Sequence, residues 1–240
     1  MELAEAAWPD VETLAADTSL AVLPVGSTEQ HGPHGPLGTD RIAAEAVTTR
    51  AVDHADPAVA VAPAVPVGIS EEHRHFAGSL WVSPDTFRAY VGDVLTSLAS
   101  HGFDRIVVVN GHGGNIDAIG EVCRRLTRDG HGRLVGFTWF EAVDESAPAM
   151  GHAGPRETAL LRHVSPDLVR EDRVEAAAAA AADRWGDWVD GTNLAVDVSE
   201  FSENGVVGDP REGDAEAGGR LLQAASTSLA GLLEALAARD

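Results

Sequence analysis

The sequence predicts an α/β fold, a three-layer α/β/α sandwich around a mostly parallel central sheet. Three observations carry that expectation. Short apolar runs alternate with longer amphipathic stretches in the order βαβαβαβ. The runs are apolar almost throughout, as strands buried on both faces of a parallel sheet are. No break in composition divides the 240 residues, so one domain over 1–240 is expected.

The first strand is read at Leu20 to Val25 (LAVLPV), and a helix at about Asp40 to His54. The second strand falls in Ala58 to Val67 (AVAVAPAVPV). Ser83-Pro84-Asp85 then offers an N-cap residue with proline at the first helical position, opening a helix to about Ser100. The third strand is Arg105 to Asn110 (RIVVVN), followed by a helix from Ile116 to Arg128. Leu134 to Phe140 is the fourth strand. Beyond Met150 the pattern turns helical, with Val174 to Arg184 and Asp214 to Arg239. The alanine run in the first of these reads as helix because Ala is the best helix former.

Acidic residues number 38 against 17 basic ones, a formal charge of −21, and every basic residue is Arg. Such a surface repels nucleic acid and anionic membranes, which excludes both as partners. Self-repulsion of this size needs screening, and at molar salt the Debye length falls to about 3 Å. A halophilic, salt-rich cytoplasm is therefore expected; a GC-rich genome explains Arg for Lys but not the acidic excess. The single cysteine, Cys123, allows no internal disulfide and reads as a small buried apolar side chain. The N-terminal residues carry no basic region followed by an apolar run, and no stretch approaches the roughly 18 apolar residues of a membrane span. The expected location is cytoplasmic.

Parallel sheets bind ligands at the carboxyl edge of their strands, and the possible metal ligands gather there. Glu29 and His31 follow the first strand; as residues i and i+2 of an extended segment they point to one side. The Gly/Pro-rich stretch after them brings Asp40 back to the start of a helix, a place where a carboxylate is also an ordinary cap. After RIVVVN comes Gly111-His112-Gly113-Gly114-Asn115, whose glycines allow close approach to the imidazole of His112. It lacks the spacing of a dinucleotide loop, and a chain without Lys has no phosphate-binding P-loop. The third cluster, Gly151 to Thr158, contains His152, able to shuttle protons. It also contains Glu157, able to ligate or to sit as a first-turn helix carboxylate.

These motifs, GSTEQHGPHGPLGTD, VVVNGHGGN and GHAGPRET in that order and spacing, resemble the creatininase (creatinine amidohydrolase) family. The likeness runs from about Val22 to the SENGVVGDP segment at Ser202 to Pro210. It implies a metal-dependent amidohydrolase of the α/β/α sandwich type that assembles into homo-oligomers, hexamers by resemblance. Two divalent ions are implied, Zn and/or Mn, with Fe the third metal that carboxylate and imidazole ligands suit. Glu29, His31, Asp40 and His112 match the family's ligands, with Asp40 as the bridge. His152 matches the catalytic histidine and Ser70 a substrate-contacting serine. His73, in EEHRHF, is a further candidate for the substrate pocket, while His34 reads as structural.

Three departures from creatininase proper stand out. Its glutamate ligand two residues after the histidine matching His112 is Gly114 here. Its neighbouring aromatic is Gly113, and its Trp-Asp pair before the catalytic histidine is Pro148-Ala149. Glu157 is the candidate for the missing carboxylate. The chain thus resembles the GHGGN-type members, archaeal formamide deformylases and mycofactocin peptidases, more than creatininase proper. The expected reaction is attack of metal-bound hydroxide on an amide carbonyl, with His152 protonating the leaving nitrogen. The substrate is a small-molecule amide, cyclic like creatinine or an N-formyl group; a short precursor peptide is the alternative. A non-catalytic metal-binding scaffold is the remaining reading.

Overall fold

In a computed structural model of the chain, residues 1–143 and 147–239 are described. Four strands, β1 (Leu20–Val25), β2 (Ala60–Val61), β3 (Arg105–Asn110) and β4 (Arg133–Thr138), form one sheet in the order β2-β1-β3-β4. All of its pairings are parallel. Parallel strands need crossovers, and these are α2 (Thr39–His54), α3 (Pro84–Ser100) and α4 (Ile116–Arg128). An N-terminal helix α1 (Trp8–Asp17) precedes β1; α5 (Pro155–Val164), α6 (Val174–Ala179) and α7 (Ala215–Ala237) follow β4.

The period-2 alternation of a strand divides the core in two. Ala21, Leu23 and Val25 of β1 with Ile106 and Val108 of β3 pack against Phe87, Val91 and Leu95 of α3 and Val122 of α4. Leu20, Val22, Val107 and Val109 face the other way, onto Val47 of α2, Leu160 of α5 and Leu229 and Leu233 of α7. Both faces of β1 are therefore buried, which explains its uninterrupted apolar sequence, and the expected three layers are present. Ser83 caps α3, accepting from the Thr86 N–H, and Asp214 caps α7 from the Ala217 N–H.

Three expectations need correction. Within Ala58 to Val67 only Ala60 and Val61 pair as a strand, with one further bridge from Val65 to Val25. Pro63 and Pro66 have no N–H to give a ladder. The fourth strand ends at Thr138, and Trp139–Glu141 continues as a 3-10 turn. The alanine helix stops at Ala179. Ala182 instead accepts a strand-like bond from Gly208 and donates one to Val206, so tertiary pairing overrides helix propensity.

Cys123 is buried, and burial pushes its thiol up to about 12. Among the described residues no helix is long and apolar enough to cross a membrane.

Candidate metal centre

The carboxyl ends of β1 and β3 lie side by side, in register at Val25 and Asn110, and the Gly111 N–H donates to the Val25 carbonyl. The loops leaving these strands therefore start from adjacent points. A Cβ at Gly111 would lie on the Asp40 backbone carbonyl, so the close approach of the β3 loop to the start of α2 requires glycine there. Two asparagines fix the loops. Asn110 donates to the His112 carbonyl (2.7 Å) and accepts from its N–H (3.1 Å). Asn115 donates to the Gly26 carbonyl (3.1 Å) and accepts from the Ile69 N–H (3.0 Å). Their one sequence signal was the position of Asn at both ends of NGHGGN.

The structure brings Glu29, His31, Asp40, His112, His152, Glu157 and His73 together, all buried. His112 Nδ1 lies 3.2 Å from Glu29 Oε1 and 3.3 Å from Asp40 Oδ2. His31 Nε2 lies 3.2 Å from Asp40 Oδ1 and 3.8 Å from Glu157 Oε2. Asp40 thus stands between the two imidazoles, one oxygen toward each. Among the described residues, three overlapping groups have donor atoms within 4.8 Å of one another: Glu29/Asp40/His112, His31/Asp40/Glu157 and Glu29/His31/His152. Glu29 and His31 point inward as the i, i+2 spacing predicts and share the group with His152.

Glu157 reaches the centre through a backbone feature that sequence does not display. Ala153 has φ 51°, in the left-handed region, and its N–H donates to Glu157 Oε2 at 2.6 Å. His34 lies outside the cluster, paired with the Thr158 hydroxyl at 3.0 Å. Ser70 is fully buried, its hydroxyl between Ser27 Oγ (2.8 Å) and the Leu80 carbonyl (3.3 Å); the structure does not bring it to the cavity described below. Glu72, which the sequence reading passed over, does line that cavity.

Charge is poorly compensated by protein alone. Among the described residues, both carboxylate oxygens of Glu29, Asp40 Oδ2 and His31 Nε2 are buried without a hydrogen-bond partner. Burying an unpaired carboxylate costs several kcal/mol or shifts its pKa. Burial, with Asp40 adding and His112 opposing, pushes Glu29 up to about 7. Burial also acts against Asp40 and Glu157, but the neighbouring His31, joined for Asp40 by His112, holds both below the usual carboxylate range. Burial and then the nearby His31 bring His152 down to about 4, leaving a neutral ring at pH 7. Orphaned carboxylate oxygens facing imidazole nitrogens are what divalent cations satisfy, so the donor set fits a metal centre of the kind expected from the sequence.

A cavity of about 650 Å³ opens over these residues. Asp40, His73, His112, His152 and Glu157 line it, with Phe140, Met150, Arg184 and Trp185 among its outer walls.

The family described as "Creatininase: Creatinine amidohydrolase" matches residues 4–233. A mycofactocin precursor peptide peptidase from Mycobacterium ulcerans is 37% identical over 228 residues, 89% of this chain and 80% of that protein. A creatinine amidohydrolase from Pseudomonas putida is 29% identical over 194 residues, 71% of this chain and 74% of that protein. A solved structure described as "Creatininase Mn" superposes with a TM-score of 0.83 at 23% identity, covering 99% of both chains. With the fold, the buried carboxylate and imidazole groups and these likenesses in agreement, the chain belongs to the creatininase family and is an amidohydrolase acting on C–N bonds.

Proposed function

We propose that residues 1–240 form one amidohydrolase domain that uses two divalent ions to cleave an amide bond in a short peptide. The carrying observation is the pair of ligand groups that share buried Asp40 on the floor of the cavity. Glu29, Asp40 and His112 would hold one ion, and His31, Asp40 and Glu157 the other; Zn, Mn and Fe(II) all suit these donors. Bound ions lower the pKa of a water and polarise a carbonyl.

The chain's own residues do the rest. His152 donates its Nε2–H to the Gln30 carbonyl at 2.6 Å, which leaves the Nδ1 lone pair toward the centre. Being neutral, the ring would take up there the proton released by the attacking water and pass it to the leaving nitrogen. Phe140, Met150 and Trp185 supply apolar wall against which a substrate is held away from water.

Two facts favour a peptide over a small cyclic amide. A cavity of about 650 Å³, within the roughly 300–1,000 Å³ of drug-sized ligand sites, has room for more than a small cyclic amide. The mycobacterial relative, at higher identity than the pseudomonad one, acts on a precursor peptide. The test sets purified protein with Zn or Mn against short peptides, creatinine and N-formyl aminopyrimidine nucleotides, with and without chelator. Peptide cleavage that chelator abolishes and metal restores is expected. Faster turnover of creatinine, or cleavage that persists in chelator with less than a few tenths of an equivalent of metal, overturns the proposal.

The same proposal places the enzyme in a salt-rich cytoplasm as a homo-oligomer. At −21, screening must relieve self-repulsion, so melting temperature should climb substantially from low to molar KCl. A flat or falling series removes the halophilic part.

A further inference from the structure

Four imidazoles face the centre, and their outer hydrogen bonds sort them into two kinds. His31 Nδ1 faces the Glu29 backbone carbonyl (3.2 Å), His112 Nε2 the Ile69 carbonyl (2.7 Å) and His152 Nε2 the Gln30 carbonyl (2.6 Å). A carbonyl only accepts, so each of these rings carries a proton on its outer nitrogen, and in the neutral ring the lone pair turns inward. For His31 and His112 that is the arrangement of metal-ligating histidines; for His152 it is that of a proton acceptor.

His73 is wired the opposite way. Its outer nitrogen, Nδ1, lies 2.9 Å from Nε2 of the Gln30 side chain. The orientation of that carboxamide is fixed by two backbone groups of unambiguous role. Its Oε1 accepts from the Gly32 N–H at 2.8 Å, and its Nε2 donates to the Gly205 carbonyl at 3.1 Å. The second Nε2 hydrogen therefore points at His73 Nδ1, which must be the acceptor. The neutral ring then has its proton on Nε2, 3.4 Å from Glu29 Oε1. Both Gln30 and His73 are buried, so water does not substitute for either contact.

We propose that His73 is a positioning residue and not a metal ligand: the Gln30 carboxamide fixes its tautomer so that an Nε2–H, and not a lone pair, faces the Glu29 carboxylate at 3.4 Å. The inference deepens the metal-centre reading and rests on it for its effect on binding, while the tautomer itself does not. A lone pair at His73 Nε2 would repel Glu29 where a proton attracts it.

The experiment has two arms. In the first, long-range ¹H–¹⁵N spectra of ¹⁵N-histidine-labelled metal-free protein, with His73→Phe to assign the signal, read the ring directly. An Nε2–H tautomer is expected, and an Nδ1–H tautomer overturns the proposal whatever the metal does. In the second arm, Zn affinity is measured by competition with a chromophoric chelator for wild type, His73→Phe and His73→Gln. Phe keeps the ring and its packing but has no N–H, and affinity should fall roughly 10- to 100-fold, the usual effect of losing an outer-shell partner. Gln carries an N–H to the Nε2 position and should recover most of that loss. Wild-type affinity in folded His73→Phe overturns the inference while leaving the metal centre standing. A wild type that binds no Zn overturns the metal-centre reading itself. Should His73→Phe not fold, His73→Gln serves for assignment and the first arm decides.

Discussion

Glu157→Gln should leave the fold intact while removing one bound metal and most turnover. Glu157 opens α5 and is buried, with Oε2 fixed by the Ala153 N–H and 3.8 Å from His31 Nε2. Gln keeps the volume and can still accept from Ala153, so the change removes charge and little else. The group His31/Asp40/Glu157 then has one carboxylate in place of two. Losing a Lewis acid worth several kcal/mol means at least a roughly 100-fold fall in kcat, at about 1.4 kcal/mol per decade. If Glu157 serves only as a first-turn helix charge, the variant loses about 0.3–1 kcal/mol of stability and keeps its metal. Metal stoichiometry on the folded variant separates these outcomes, and full occupancy with normal turnover refutes the ligand assignment.

Gly114→Glu restores the carboxylate of creatininase proper at its own position, yet it should damage the site. A Cβ at 114 would press on the Ile69 carbonyl oxygen and lie 2.6 Å from His112 Nε2, with Glu72 Oε1 at 3.3 Å beyond. The Ile69 carbonyl is the group that holds the His112 ring at 2.7 Å. Moving it frees the imidazole to turn away from Glu29 and Asp40, which should weaken metal binding roughly 10- to 100-fold. The double variant with Glu157→Gln should therefore bind no better than Glu157→Gln alone. Recovery of the second metal in the double variant would show that the space at Gly114 is available and that Glu157 is dispensable.

What the sequence determined by itself was whatever follows from local period and chain order. Continuous apolar runs at Leu20–Val25 and Arg105–Asn110 specify strands buried on both faces. Parallel pairing then puts the GSTEQH and GHGGN loops at one sheet edge, which assembles Glu29, His31, Asp40 and His112 from motifs a linear reading can find. Tertiary structure decided what depends on partners distant in sequence. The alanine run ends at Ala179 because Ala182 pairs with the segment around Val207, and no propensity scale contains that partner. Glu157 faces His31 because Ala153 is held left-handed, 122 residues along the chain from the imidazole it serves. Ser70 is turned into the Ser27 contact, while Glu72, two residues on, reaches the cavity. The inward nitrogen of His73, His112 and His152 is set by which distant carbonyl or carboxamide meets the other one. A proton's place on an imidazole is a property of its neighbours in space, so sequence could supply the four rings but not their tautomers.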